Sequence, residues 1–323
     1  MIIRSSLTSG ETRGRLADAM SANKTKSEVS VVMASYNHEN FISDSIRSVL
    51  EQNFGNLELI IVDDASSDRS REIIESFSIR DPRVRSVFHD KNEGIARTFN
   101  DGLNLAGGRY AAITASDDVW LTDKLRLQMD VLERNRDLVV WSEAVIIDTN
   151  GTSTGELFTT AKKARHRKKS GDIFEELIRG NFVSGQSLIF RRDNLGTIRF
   201  DETLKYLNDY KFVLDLAKKF RFFFIDEPLV MYRVHPGNTI NSDQENWRKD
   251  ILKFGSSVLD ESGERLSAGS KARIHLAMAA GHLKLGDEQA ALNSLAKAAS
   301  LRPLSFRNIV CFLSYVKNRI KPK

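Results

Sequence analysis

The sequence predicts an α/β fold built on a mostly parallel central sheet and followed by an α-helical extension. Two observations predict the sheet. Short β-branched runs alternate with single amphipathic helical segments from residue 29 to about residue 115. Each run also ends in a polar loop of turn formers. A third observation predicts the extension: beyond about residue 270 the chain turns alanine- and leucine-rich at helical spacing. A chain of 323 residues suffices for one large domain with an appendage or for two modest domains.

The elements follow in order. "VSVVMA" (Val29–Ala34) reads as the first strand and "SYNHEN" as a loop, after which Phe41, Ile42, Ile46, Val49 and Leu50 recur at helical spacing. "LELIIV" (Leu57–Val62) is a second buried-type strand closed by "DDASSDRS", and Ile73, Ile74 and Phe77 mark a helix. "VRSVF" (Val84–Phe88) is a third strand, with Ile95, Phe99 and Leu103 on one face of the next helix. "RYAAIT" (Arg109–Thr114) is a fourth, running into Ser116-Asp117-Asp118. Strands joined by single helices imply parallel βαβ units, and in such sheets ligands bind beyond the carboxyl ends of the strands. The loops "ASYN", "DDASSD" and "SDD" are therefore expected on one sheet edge. Past Leu138 come a strand in "LVVWSEAVII", a basic run "KKARHRKK" (Lys162–Lys169), a short helix Ile173–Ile178, a strand "QSLIF" and a helix from about Asn208 to Phe220. The basic run is either a solvated loop or a loop that closes over an anionic ligand.

Composition narrows the class. No stretch approaches the roughly 20 apolar residues of a membrane span, and residues 1–27 lack the apolar core of a signal peptide, so they are expected to form a flexible polar leader. The single cysteine, Cys311, excludes an internal disulfide and fits a cytoplasmic protein. A net charge of +5 suits anionic substrates or an acidic membrane surface and is no nucleic-acid signature. Residues 28–240 are expected to form the main α/β domain and 241–323 a helical extension. Within it, "ARIHLAMAAGHLKLGDEQAALNSLAKAASLRP" resembles a single tetratricopeptide-type hairpin turning at Leu-Gly-Asp. The terminal "FRNIVCFLSYVKNRIKPK" reads as a docked helix or as a basic amphipathic helix for peripheral contact with the inner membrane face.

Three segments in order carry a family resemblance. "VSVVMASYNHENFISDSIRSVLEQNFGNLELIIVDDASSDRSREII", "GRYAAITASDDVWLTDKL" and "FDETLKYLNDYKFVLDLAKKFRFFFIDEPLVMYRVH" resemble the family 2 inverting glycosyltransferases, of the glycosyltransferase A fold, across roughly Glu28 to His235. The resemblance implies a nucleotide-sugar donor, a UDP-sugar in the first instance, and a Mn²⁺ or Mg²⁺ ion that compensates charge on the departing diphosphate. It implies that Asp118 binds the metal, Asp117 the ribose hydroxyls, and Asp64 the imide N–H of uracil, while Ser66, Ser67 or Asp68 caps the next helix. Ala34, Tyr36 and Asn37 would cradle the base, with plain packing the alternative for Tyr36. Arg97 would lie near the nucleotide or be an ordinary exposed helical arginine.

Asp209 is the implied general base, taking the acceptor hydroxyl's proton from the start of a helix; the plainer reading is an acid favoured by the helix dipole. Family members usually show Glu-Asp where this chain reads Asn208-Asp209. His235 would complete the metal shell or touch the diphosphate, Arg233 would pair with a phosphate, and Trp120 would floor the sugar pocket or belong to the core. His38 and His89 receive no role. The expectation is thus an inverting glycosyltransferase that modifies a carbohydrate or lipid-linked saccharide acceptor in surface polysaccharide or glycolipid synthesis. The alternatives are a degenerate scaffold acting through its helical tail and a nucleotidyltransferase, whose Gly-rich basic loop "MASYNHEN" does not supply.

Overall fold

The computed structural model describes residues 2–3, 27–238 and 243–302. They fall into two compact units, one of Met1–Ile173, Phe182–Glu202 and Phe212–His235, the other of Phe174–Asn181, Thr203–Lys211 and Pro236–Lys323.

The first unit carries a ten-stranded sheet. Strands β1 (Ile2–Ile3), β2 (Val29–Ser35), β3 (Leu57–Asp63), β4 (Val84–Phe88) and β5 (Tyr110–Ala115) are parallel, in the spatial order β1-β4-β3-β2-β5. The crossovers are helices α1 (Ile42–Leu50), α2 (Ser70–Arg80) and α3 (Ile95–Leu105). β2 and β3 are buried at every position, as strands covered on both faces must be, which is why they read as unbroken apolar runs. α1 turns Ile42, Ile46 and Val49 into the core at the spacing that marked it as a helix.

Beyond β5 the sheet departs from the simple parallel expectation. β7 (Val139–Ile147) and β10 (Phe222–Arg233) pair parallel with each other. They join β5 only through β9 (Ile189–Arg191), which is antiparallel to β5 and β7. β9 follows a long excursion rather than a covering helix, so no right-handed crossover dictates its direction. β6 (Val119–Trp120) pairs antiparallel with β10, and the exposed β8 (Ser153–Leu157) pairs antiparallel with β7. Of the expected strand "QSLIF" only the end is extended; Gly185–Ser187 is a turn of 3₁₀ helix, in which the Ser187 hydroxyl donates to the Ser184 carbonyl. Helix α4 (Lys124–Arg134) lies between β6 and β7, and the short α5 (Phe158–Ala161) follows β8. Of the expected leader, Ile2–Ile3 is an edge strand on β4, and the rest lies outside the described residues.

A buried carboxylate ties the parallel strands together. Glu58 on β3 accepts from the Ser30 hydroxyl at 2.6 Å and the Gly107 amide at 2.8 Å through one oxygen. Through the other it accepts from Arg85 on β4 at 3.0 Å. Gly108 lies so close to β2 that a Cβ there would sit 2.7 Å from the Ser30 nitrogen, so only glycine fits.

The second unit holds α6 (Phe174–Leu177) and the first turn of α7 (Asn208–Lys219). It also holds α8 (Gln244–Ser262), α9 (Ala268–Lys284) and α10 (Glu288–Leu301). Asp243, Ser267 and Asp287 cap α8, α9 and α10 through their side chains. α9 and α10 form a helical hairpin turning at Leu285-Gly286-Asp287 and sealed by Ala272, Leu276, Ala279, Leu295 and Ala298. No described helix is long and apolar enough to cross a membrane. The C-terminal basic segment, with Cys311, lies outside the described residues.

Glu58→Ala strands the Ser30 hydroxyl and the Gly107 amide without their acceptor, and is expected to cost about 1–3 kcal/mol in urea denaturation at pH 7. Its hydrogen bonds outweigh the burial that would raise its pKa and hold it below the ordinary 4.5. The stability it contributes is therefore present above pH 4.5 and lost as pH falls through its lowered folded value, so the wild-type advantage shrinks in acid.

Candidate functional site

Parallel register brings the three polar loops together. Ser35 pairs with Asp63 and Ala34 with Ala115, so β2, β3 and β5 end at one edge. The ladder continues one step into each loop: the Asp64 amide donates to the Ser35 carbonyl at 2.8 Å, and the Ser116 amide to the Ala34 carbonyl at 3.1 Å.

The first two loops interlock. Asp63 is buried and accepts from the Ser35 hydroxyl at 2.9 Å and from the Ser66 amide and hydroxyl at 2.9 and 2.6 Å. Asn37 sits in the left-handed region at φ 52°. Its amide donates to the Ser66 hydroxyl at 2.9 Å, and its carboxamide oxygen accepts from the Ser67 amide at 2.8 Å. Ala65, also left-handed at φ 60°, holds a conformation that costs about 1–2 kcal/mol and is sustained by these bonds. Asp68 accepts from the Ser70 amide at the start of α2, so Asp64 is free of capping. Tyr36 stays 45% exposed beside this framework, while Ala34 is buried in β2.

Asp64 accepts three hydrogen bonds. One oxygen accepts from His89 Nδ1 at 2.8 Å and the Glu93 amide at 2.7 Å, the other from the Gly94 amide at 2.9 Å. Gly94, at φ +90°, presents that amide from a backbone shape other residues rarely take. Burial alone would raise the Asp64 pKa; the His89 bond and the two amides outweigh it and hold it below the usual carboxylate range. Arg97, expected near the nucleotide, is half-exposed and pairs with Asp101 at 2.9 Å and Glu202 at 3.7 Å.

In the third loop the two adjacent acids part. Asp118 is buried and accepts from the Arg233 amide at 2.8 Å; burial first, then the neighbouring Asp117 charge, push its pKa well up against that bond. Asp117 lies 3.1 Å from His235 Nε2. His38 Nδ1 is 2.8 Å from the Ser116 hydroxyl, and its ring meets His235 edge-on at 5.4 Å between centroids. His38, Asp117 and His235 each offer one ligand atom, and these lie within 4.8 Å of one another. Two imidazole nitrogens and a carboxylate oxygen make a donor set suited to a divalent transition ion. Burial and the neighbouring His235 lower the His38 pKa against the pull of Asp117 and Asp68, which favours the unprotonated ring a metal needs.

Against expectation, Asp118 lies outside this group and Asp117 within it, because pairing of β6 with β10 turns Asp118 in toward the Arg233 amide. His38 has no distinguishing signal in the sequence beyond its place in the loop after β2. Arg233 is a structural clamp: Nε donates to the Asp117 carbonyl at 2.8 Å and Nη1 to the carbonyls of Asp148 and Thr149. Its guanidinium also lies 4.8 Å over the Phe41 ring. Trp120 belongs to the core, with the buried Lys124 ammonium 3.7 Å over its ring.

Asp209 belongs to the second unit and is exposed in the first turn of α7. The unexpected amide before it has a local use: Asn208 Nδ2 donates to the carbonyls of Leu204 and Lys205 at 3.2 and 3.0 Å, which a carboxylate cannot do.

Comparison with known proteins fits this geometry. A family model described as glycosyl transferase family 2 matches residues 30–198. The putative teichuronic acid biosynthesis glycosyltransferase TuaG of Bacillus subtilis is 28% identical over 217 residues, 67% of this chain and 82% of TuaG. The UDP-Glc:alpha-D-GlcNAc-diphosphoundecaprenol beta-1,3-glucosyltransferase WfgD of Escherichia coli is 38% identical over 122 residues, 38% of this chain and 47% of WfgD. Among solved structures, S. aureus TarS 1-349 in complex with UDP superposes with a TM-score of 0.59 at 19% identity, covering 85% of this chain and 81% of TarS. The mannosyltransferase PcManGT from Pyrobaculum calidifontis, in complex with GDP-Man and Mn²⁺, gives 0.55 at 18%, covering 97% and 88%. The matched span takes in more than half of the chain and both interlocked loops, and with it this protein, of glycosyltransferase A fold, belongs to glycosyl transferase family 2.

Proposed function

We propose that the protein is an inverting, divalent-metal-dependent glycosyltransferase that moves a sugar from a UDP-sugar to an acceptor hydroxyl in surface polysaccharide or glycolipid synthesis. The observation that carries the reading is the meeting of His38, Asp117 and His235 on the strand edge that also carries Asp64. The related proteins support it: TarS is seen with UDP and with UDP-GlcNAc, PcManGT with GDP-Man and Mn²⁺, and WfgD is named for a lipid-linked acceptor.

In this reading Asp117, rather than Asp118, joins His38 and His235 as a metal ligand, and the buried Asp118 holds the turn. When bound, the cation supplies charge compensation for the departing diphosphate. Asp64 accepts from the base, with Tyr36 beside it and Ala34 and Asn37 shaping the loop beneath. Asp209 takes the proton of the acceptor hydroxyl, whose oxygen bonds to the anomeric carbon on the face opposite the diphosphate. The bond from that carbon to the phosphate oxygen breaks, and its electron pair leaves with UDP.

Asp209→Asn is expected to lower kcat by about 10²–10⁴-fold while leaving UDP affinity within about twofold, read by coupled UDP release and by calorimetry. Undiminished turnover would remove Asp209 from the chemistry. With two nitrogen ligands the apoprotein is expected to bind Mn²⁺ more tightly than Mg²⁺, and His38→Ala to weaken Mn²⁺ binding by roughly tenfold or more. Titration calorimetry with each ion alone checks both. Absence of binding or stabilisation by any nucleotide-sugar, with or without Mn²⁺, would favour a scaffold over an enzyme.

A further inference from the structure

His89 had no role in the sequence, yet it stands between two carboxylates. Its Nδ1 lies 2.8 Å from Asp64 and its Nε2 3.4 Å from Asp101. A neutral imidazole has one N–H and one lone pair, so it can satisfy only one of two ionised carboxylates; the imidazolium satisfies both. The side chain is 11% exposed, so water competes little for either nitrogen. We propose that His89 is a permanently charged positioning residue that locks Asp64 as an ionised, acceptor-only group and thereby restricts the donor base to those with a ring N–H.

The hydrogen-bond count around Asp64 carries the argument. Its Oδ1 already takes two donors, His89 and the Glu93 amide, while Oδ2 takes only the Gly94 amide. One acceptor position on Oδ2 is left to a ligand. An anionic oxygen there accepts the N3–H of uracil or the N1–H of guanine and repels the bare N3 of cytosine or N1 of adenine. Were Asp64 protonated, its hydroxyl would donate and cytosine would be admitted. The cation at Oδ1 prevents that.

The charge of His89 is anchored from every element around it. Asp64 faces it from the end of β3 and Asp101 from α3. Asp101 is held in turn by Arg97 at 2.9 Å, and Arg97 faces Glu202 and the charge of Glu93. Burial pulls the His89 pKa down, but the bonds to Asp101 and Asp64 win and raise it to about 9. A raised histidine contributes stability that is full below 6.5 and is lost as pH rises through 9, so the network stays charged throughout the neutral range.

The inference rests on the donor-site reading of Asp64, and two measurements separate them. The first is imidazole ¹⁵N NMR on the full chain without ligand. Both His89 nitrogens are expected to be protonated at pH 7 and to titrate near pH 9; a neutral ring at pH 7 overturns the proposal whatever the enzyme does. The second is calorimetry at pH 7 with UDP and CDP, in the presence of Mn²⁺. Wild-type protein is expected to prefer UDP, and His89→Asn, which keeps a donor near Nδ1 but no charge, to lose about tenfold of that preference. His89→Lys is expected to restore it. Unchanged discrimination in a folded His89→Asn, checked by its melting profile, also overturns the proposal. If wild-type protein binds neither nucleotide while His89 titrates near 9, the donor-site reading of Asp64 fails and the discriminating role with it, though the charge on His89 stands.

Discussion

Parallel pairing of β2 with both β3 and β5 is the constraint on which the rest depends. Three strands buried in the sheet and held in one register must end together, and whatever follows them must share an edge. Glu58 and Gly108 secure that register far from the edge, one by joining β2, β3 and β4 through a single carboxylate, the other by allowing the turn before β5 to press against Ser30. The loops add a second layer of order. Asp63, Asn37 and Ser66 bind one loop to the next, so Tyr36, His38 and Asp64 project from a common frame.

Charge at this edge is sorted by partner. Asp63 is consumed by hydroxyl and amide donors, and Asp118 by the Arg233 amide in a setting that disfavours its ionised form. Asp64 keeps its charge because His89 and two amides stabilise it, and Asp117 meets two imidazoles. In the proposed reading Asp63 and Asp118 hold the loops, and Asp64 and Asp117 face ligands. Adjacent aspartates in each "DD" pair thus find different partners.

Much of this was legible in the sequence. β2 through β5 and their helices are marked by unbroken apolar runs and helical spacing, and the convergence of "ASYN", "DDASSD" and "SDD" follows from the parallel strand order that βαβ units impose. The later strands were harder. "STGEL" has no apolar alternation, and the direction of β9 depends on pairings the local sequence does not encode. At the site, residue type points to Asp64, Asp117, Asp118 and His235, with Asp118 as the metal ligand, but a pair of adjacent acids does not say which of the two meets His38 and His235. That depends on β6 meeting β10. His38 and His89 were silent because their partners, Asp117 on one side and Asp64 with Asp101 on the other, lie far away in sequence. Asn208 reads in sequence as the loss of a family acid, and in the structure its amide donates to the Leu204 and Lys205 carbonyls, which an acid could not do.

In the proposed mechanism one cation is gripped by two imidazoles and Asp117 at the end of β5. Pulsed electron paramagnetic resonance of Mn²⁺ bound to the full chain tests it most directly. Couplings to two imidazole nitrogens are expected, one lost in His38→Ala and one in His235→Ala, with both kept in Asp118→Asn. A Mn²⁺ spectrum with oxygen ligands alone, unchanged by either histidine substitution, would contradict it.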